Sequence, residues 1–128
     1  MLALILARPG PICDGLVALL RARPDVRKIV QTTGPIDALD FAQTIHPDIT
    51  LVHTSSLSQG LVSFITQIKK ICDNPLLMIV AREEDRKTAI TQGADIVIME
   101  GLSSEKLAIH ISTLLQQYSE TKSVEFAE

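Results

Sequence analysis

The sequence has few aromatic residues, no excess of basic residues and only two cysteines. Phenylalanine and tyrosine make up 3% of the 128 residues, and tryptophan is absent. The chain therefore has few aromatic side chains on which the bases of a single-stranded nucleic acid could stack. The 12 Lys and Arg residues are outnumbered by 15 Asp and Glu residues, so the chain lacks the cationic surplus that favours binding to a phosphate backbone. We expect no direct nucleic-acid binding by this chain.

Membrane insertion and a disulfide scaffold are not expected either. No apolar run approaches the roughly 18 residues of a transmembrane helix. The N-terminal apolar stretch ends at Arg8 without the features of a cleaved secretion signal. Two cysteines, Cys13 and Cys72, are too few for a disulfide framework. These features predict a cytoplasmic protein with no membrane contact.

Short apolar runs alternate along the chain with segments of helical periodicity. Residues 2–7 and 76–81 are apolar throughout, as expected for strands that are buried on both faces of a parallel sheet. Residues 28–32 are half polar, which suits a strand at the edge of a sheet. Residues 49–52 and 96–99 supply two more predicted strands. The segments between the strands, and the one after the last, predict five helices.

This alternation predicts a three-layer, doubly wound (βα)5 sandwich of the flavodoxin-like type, with a parallel five-stranded sheet. The strand order 2-1-3-4-5 places the most apolar strands at the centre and the half-polar second strand at an edge. We expect one domain over residues 1–118, followed by a polar tail, residues 119–128, that is mobile. Functional residues in such sheets collect beyond the carboxyl ends of the strands.

Three segments, residues 8–20, 47–53 and 93–100, carry a family resemblance. They include Pro-Asp before the third predicted strand and Gly-Ala-Asp before the fifth. The chain resembles the receiver domains of two-component response regulators, the CheY-like superfamily, over about residues 1 to 118. Members of that family accept a phosphoryl group on an Asp at the end of the third strand. Acidic residues after the first strand hold Mg²⁺, and a hydroxyl residue and a Lys follow the fourth and fifth strands.

The chain departs from that family pattern at each position that carries chemistry. The resemblance implies a degenerate phosphorylation pocket formed by Ala7 and Arg8 in place of the acidic pair, His53 in place of the Asp, Val80 in place of the hydroxyl residue, a matching Ala81, and Glu100 in place of the Lys.

The residues at these positions also argue against metal binding on physical grounds. Mg²⁺ requires oxygen ligands, normally including one or two carboxylates, whereas the permanently charged guanidinium of Arg8 would repel it. Without a metal, nothing offsets the charge that develops on a transferred phosphoryl group. We therefore expect no Mg²⁺, no other cofactor, no metal site and no catalytic residue. We also predict that Arg8 and Glu100 form an ion pair across the mouth of the pocket.

Two other functions stay open at this point. His53 or Cys13 is a candidate nucleophile in a phosphoryl-accepting domain or phosphotransfer enzyme, and Cys13 near a helix start is a candidate for a lowered thiol pKa. A small-anion sensor at the Arg8 pocket is the other function, because the predicted loop 53–58 contains four hydroxyl residues. A capped start of the third helix explains those hydroxyls more simply, and burial explains Cys13 more simply.

If the chain has no catalytic site, its function depends on a binding surface, and the fifth predicted strand is the candidate. The fifth predicted strand is apolar on both faces although it lies at a sheet edge, a position that favours pairing or covering. In the family that the chain resembles, the fourth helix, fifth strand and fifth helix carry signalling contacts and dimers. We expect this face to bind a protein partner or a second copy through Arg86, Ile90, Val97, Met99 and His110. The predicted function is a non-phosphorylated interaction module in bacterial-type signalling or transcriptional regulation.

Overall fold

The computed structural model describes residues 1–127, with side chains described through residue 116. It contains five parallel strands in the order β2-β1-β3-β4-β5. The strands are β1 (Leu2–Leu6), β2 (Lys28–Thr32), β3 (Ile49–Thr54), β4 (Leu76–Val80) and β5 (Ile96–Met99). The helices are α1 (Pro11–Arg21), α2 (Pro35–Ile45), α3 (Gln59–Cys72), α4 (Glu83–Gln92) and α5 (Ser104–Ala127). The predicted architecture and strand order are confirmed.

Helices cover both faces of the sheet and form two hydrophobic cores. One core joins α1 and α5 to the sheet through residues such as Leu16, Leu20 and Ile111. The other joins α2, α3 and α4 to the opposite face, with Phe64 and its neighbours fully buried. The central strands are apolar on both faces because each face packs against helices. By contrast, β2 has exposed and half-buried residues along most of its length, as predicted for an edge strand.

Asp48 and Asp95, two residues of the motifs that carry the family resemblance, form hydrogen bonds to neighbouring strands. Asp48, just before β3, accepts a hydrogen bond from the backbone N–H of Leu2 at 2.8 Å. Asp95, just before β5, accepts one from the N–H of Leu76 at 2.7 Å and pairs with Lys69 at 2.8 Å. Each carboxylate therefore satisfies a donor at the first residue of an adjacent strand, where the ladder offers no partner. These motifs have a structural role at the amino end of the sheet.

Several element boundaries differ from those predicted. Strand β3 extends to Thr54, so His53 lies within the strand and not in a loop, because its backbone continues the ladder with β4 opposite Ile79. Strand β4 ends at Val80, which leaves Ala81 outside it. Helix α5 continues past the expected domain end at residue 118. The expected mobility of residues 119–128 stays a prediction, and Glu128 lies outside the described residues.

No helix in the described part of the chain combines the length and apolar character needed to cross a bilayer.

Candidate functional site

The carboxyl ends of the central strands meet at one edge of the sheet, and the register brings the predicted site residues there. Leu6 of β1 lies opposite Val52 of β3, so the next residues, Ala7 and His53, lie at the same level. Val80 of β4 lies opposite both Thr54 and Met99. The end of β3 and the residue after β5 are therefore close in space.

His53 and Glu100 form a hydrogen-bonded pair at this edge. The His53 Nε2 and Glu100 Oε1 atoms lie 2.6 Å apart, and the two side chains are 17% and 33% exposed. Both residues belong to the predicted site, but no sequence pattern indicates their contact. The residues are 47 positions apart, and only the parallel packing of β3, β4 and β5 brings them together. A histidine paired with a carboxylate is held in a fixed orientation, as in many functional sites.

The predicted ion pair between Arg8 and Glu100 is wrong. Glu100 pairs with His53, and no ion pair or hydrogen bond of the Arg8 side chain occurs among the described residues. Arg8 is exposed, so pairing it would require fixing a long side chain in water for little electrostatic gain. The half-buried imidazole of His53 is a better partner because less conformational freedom is lost.

Arg8 and His53 contribute to a cavity of about 300 Å³ above β1 and β3. The cavity walls come from the ends of β1 and β3, the start of α2 and the segment leading into α3. They consist of Leu6, Ala7, Arg8, Thr33, Pro35, His53, Thr54, Ser55, Ser56, Ser58 and Leu61. Arg8 and His53 carry the basic side chains of this lining, and its other polar side chains carry hydroxyl groups.

Some of these hydroxyls already have structural partners. Ser58 is the N-cap of α3, and its Oγ accepts a hydrogen bond from the Leu61 N–H at 3.2 Å. This contact confirms, for Ser58, the helix-capping interpretation made from the sequence. The Thr54 hydroxyl donates to the Ser56 carbonyl oxygen at 2.8 Å and accepts from the Ser56 N–H at 3.2 Å. The segment before α3 is therefore ordered by its own side chains.

The described side chains include no cluster of three or more His, Cys, Asp or Glu residues arranged to hold a metal ion. At the carboxyl edge of the sheet, Glu100 supplies a carboxylate, but that group is engaged by His53. Ala7 and Val80 are buried apolar residues and have no side-chain oxygen, and Ala81 has none either. The residues at the predicted phosphorylation pocket do not form an oxygen-rich ligand set.

Cys13 lies on the buried side of α1, with 3% of the residue exposed. Its thiol lies 3.6 Å from the Gln31 Oε1 atom. Burial, and secondly the negative charge of Asp14, raises the pKa of the Cys13 thiol above its usual value. The burial expected for Cys13 is confirmed, and the alternative of a lowered thiol pKa is contradicted, because desolvation disfavours the charged thiolate. Burial similarly raises the pKa of Cys72.

A buried aspartate, Asp85, links the start of α4 to the segment before α3. Its carboxylate accepts hydrogen bonds from Arg82 at 3.1 and 3.3 Å and from the Leu57 N–H at 3.2 Å. The hydrogen bonds from Arg82 are the main reason that the pKa of Asp85 lies below its usual value. From the sequence, the run of charged residues 82–87 is expected to be a solvated helix start. Asp85 is an exception to this expectation, because it is 6% exposed.

The predicted interaction residues lie around β5, an edge strand in the structure. On α4, Ile90 is 48% exposed, and Arg86 is half-buried and paired with Glu83. Val97, Met99 and His110 are half-buried. The sequence did not single out Ile109 on α5, which is 64% exposed. In the sequence, Ile109 cannot be told apart from the core residues of α5, because the buried Ile111 is only two positions away. The orientation of the folded helix shows that Ile109 is exposed.

The sequence matches no family model and no curated protein. Solved structures do match. A receiver domain of the DNA-binding response regulator merR from Colwellia psychrerythraea 34H is 20% identical, with 91% of this chain and 98% of that chain covered and a TM-score of 0.75. A CheY-like receiver domain protein from Methanospirillum hungatei JF-1 is 16% identical, with coverages of 94% and 97% and a TM-score of 0.77.

A third structure, NtrX from Brucella abortus, is 18% identical with a TM-score of 0.84; the match covers 99% of this chain and 29% of that longer chain. At such identities the shared property is the fold. The chain has the α/β receiver fold of CheY-like response regulator domains.

Proposed function

We propose that this chain is a signal-transduction domain that works without phosphorylation and performs no chemistry on a substrate. In this proposal, His53 occupies the position of the phosphoacceptor Asp, and the domain acts through contacts with another protein chain. The proposed setting is the cytoplasm of a bacterial-type signalling or transcriptional system. Two free cysteines are consistent with a reducing compartment.

The observation that carries the proposal is the His53–Glu100 pair next to an unpaired Arg8. Phosphoryl transfer depends on positive charge, usually from a metal ion, that stabilises the transferring group. Mg²⁺ needs several oxygen ligands, but the Glu100 carboxylate is bound to an imidazole and Arg8 repels cations. Attack by the Nε2 atom of His53 would require breaking its 2.6 Å contact with Glu100. The Nδ1 atom has no hydrogen-bond partner among the described residues, so the first experiment below tests this alternative directly.

The partner surface in this proposal is the edge formed by α4, β5 and α5. The chain places apolar side chains in water on both flanking helices, Ile90 at 48% and Ile109 at 64% exposure. Strand β5 has an unpaired edge, which in soluble proteins is usually covered or used for association. Exposed apolar residues beside a strand edge favour contact with a second protein chain.

The first experiment treats the chain with a small-molecule phosphodonor and Mg²⁺ and measures its intact mass. We expect no added phosphoryl group. An acid-labile adduct on His53, lost in His53→Gln, would instead support the phosphoryl-accepting alternative. An adduct on any residue would refute the proposal of a domain that is not phosphorylated.

The second experiment measures association by size-exclusion chromatography with light scattering, alone and with candidate partners. We expect a complex that Ile90→Gln weakens about tenfold, the loss of roughly 1.4 kcal/mol of buried apolar contact. The matched control is Ile36→Gln on α2, where Ile36 is 75% exposed and lies near the opposite edge of the sheet. Equal effects of both variants, or a strict monomer that binds no partner, would contradict the assigned surface.

A further inference from the structure

We propose that the cavity lined by Arg8 binds a tetrahedral oxyanion, the phosphoryl group of inorganic phosphate or of a small phosphate ester, without a metal ion. This inference goes beyond the proposed function and does not depend on it. It concerns reversible binding, in which no covalent bond forms or breaks.

The charge of the cavity is the first argument. Its lining contains the Arg8 guanidinium and no Asp or Glu. The His53 imidazole also lines the cavity, but it is paired with the Glu100 carboxylate, so the positive charge available to an anion is that of Arg8. Arg8 has no ion pair or hydrogen bond within the described part of the chain. A guanidinium offers five N–H donors in a planar fork that suits phosphate oxygens. An unpaired arginine at a carboxylate-free cavity favours an anion.

The hydroxyl groups are the second argument. Thr33 and Ser55 have side-chain hydroxyls with no partner among the described side chains and backbone groups, and both line the cavity from different segments. Ser56 also lines it, and its contacts with Thr54 use only its backbone. Hydroxyls rotate to donate as needed. Donors that surround a space from several directions match a tetrahedral anion better than a planar carboxylate.

The cavity is also placed where a helix start favours negative charge. Ser58 caps α3 and lines the cavity. Pro35, the first residue of α2, also lines it but has no N–H to donate, and Asp37 adds a negative charge to the first turn of α2. The first N–H groups of a helix carry partial positive charge and favour nearby anions. The start of α3, the Arg8 guanidinium and the free hydroxyls of Thr33 and Ser55 all favour a bound anion. The volume of about 300 Å³ lies at the small end of ligand cavities, suited to a phosphoryl group with a small organic body.

The test is a titration of ¹⁵N-labelled protein with inorganic phosphate in EDTA, at constant ionic strength, followed by amide NMR. We expect saturable shifts at Arg8, Thr33 and residues 55–58, with a Kd on the order of 1 mM because the arginine lies in solvent. Sulfate, also tetrahedral, should shift the same amides, and acetate should bind much more weakly. Comparable binding of acetate would overturn the assignment of a tetrahedral oxyanion.

Two variants separate a specific site from general attraction of anions. Arg8→Gln should weaken phosphate binding about tenfold, through loss of charge-assisted hydrogen bonds. Arg27→Gln is the matched control, since it removes the same charge just before β2, at the amino end of the sheet. Ser55→Ala should weaken binding by a smaller factor and leave the spectrum otherwise unchanged. Shifts that do not saturate, or equal losses in the two arginine variants, would overturn the proposal.

Because EDTA removes Mg²⁺ and inorganic phosphate transfers no phosphoryl group, this titration is independent of the phosphodonor experiment. A chain that binds phosphate and takes no label supports both ideas. Labelling by a phosphodonor would refute the proposed function alone, and absence of phosphate binding would refute this inference alone.

Discussion

His53 on β3 and Glu100 after β5 form a hydrogen bond that reaches across the carboxyl end of β4, with 2.6 Å between Nε2 and Oε1. The pair links the central strand of the sheet to the segment that leads into α5. The pair engages the Glu100 carboxylate, and Arg8 at the same edge has no ion pair among the described residues. This contact joins two residues of the candidate site, His53 and Glu100, that are 47 positions apart in sequence.

Glu100→Gln tests the importance of that contact. Glutamine keeps an oxygen near the imidazole but removes the charge, so we expect the fold to persist and the free energy of unfolding to fall by about 0.5–1 kcal/mol, the value for a partly exposed pair. Urea denaturation measures the change, and imidazole ¹⁵N NMR should show an altered His53 environment. Asp40→Asn, at an exposed position on α2, is the control. Unchanged His53 resonances in Glu100→Gln would contradict the pairing.

Asp85 predicts acid sensitivity. Its folded pKa is lowered below the usual 3.8 by the hydrogen bonds from Arg82. As pH falls through about 4, the unfolded chain takes up a proton on this residue before the folded chain does, so stability decreases on acidification. At neutral pH, the contribution of Asp85 to the free energy of unfolding is fully present.

Asp85→Asn should therefore lower the free energy of unfolding by about 1–3 kcal/mol at neutral pH, since it weakens bonds to a buried acceptor. The difference from the unmodified chain should narrow below pH 4, because only the unmodified chain loses the contribution of the Asp85 carboxylate. Urea denaturation from pH 7 to pH 3 measures both. Asp25 and Glu83, whose pKa values are also lowered by neighbouring arginines, remain in both proteins. A pH-independent difference would contradict the assignment.

Phe64 tests the core on the α2–α3–α4 face. Its side chain is fully buried, so Phe64→Ala should cost about 3–5 kcal/mol through lost burial and the cavity left behind. Phe41→Ala removes the same atoms from a residue that is 43% exposed, and it should cost much less. Chemical denaturation compares the two. Similar costs would show that Phe64 is not the better packed residue.

The thiols should be unreactive in the folded chain. Burial raises the pKa of both Cys13 and Cys72, so little thiolate forms at neutral pH, and access is restricted. We expect reaction with a thiol reagent to be slow in buffer and fast in urea, with two thiols counted after unfolding. Cys13→Ala, which retains Cys72, assigns the two rates. Rapid modification of Cys13 in the folded chain would contradict this prediction and support a role for Cys13 as a nucleophile.

Local sequence patterns were sufficient to specify the architecture. Strands that are apolar throughout, such as residues 76–80, require helices on both faces, and the half-polar residues 28–32 fit only an edge. Proline at Pro11 and Pro35, and the cap at Ser58, set helix starts through local chemistry. These signals lie within a few residues of the element they specify, so they can be recognised without knowing how the chain folds.

The contacts between functional groups, by contrast, depend on how the folded elements are arranged. The partner of Glu100 is His53 and not Arg8, and Asp85 is buried although it lies in a charged run. The cavity at Arg8 takes its walls from segments that follow β1, β2 and β3. Such contacts require strand register and helix placement to within about an ångström, because hydrogen bonds and ion pairs lose strength over short distances. Local patterns contain no information at that precision about residues 47 positions apart.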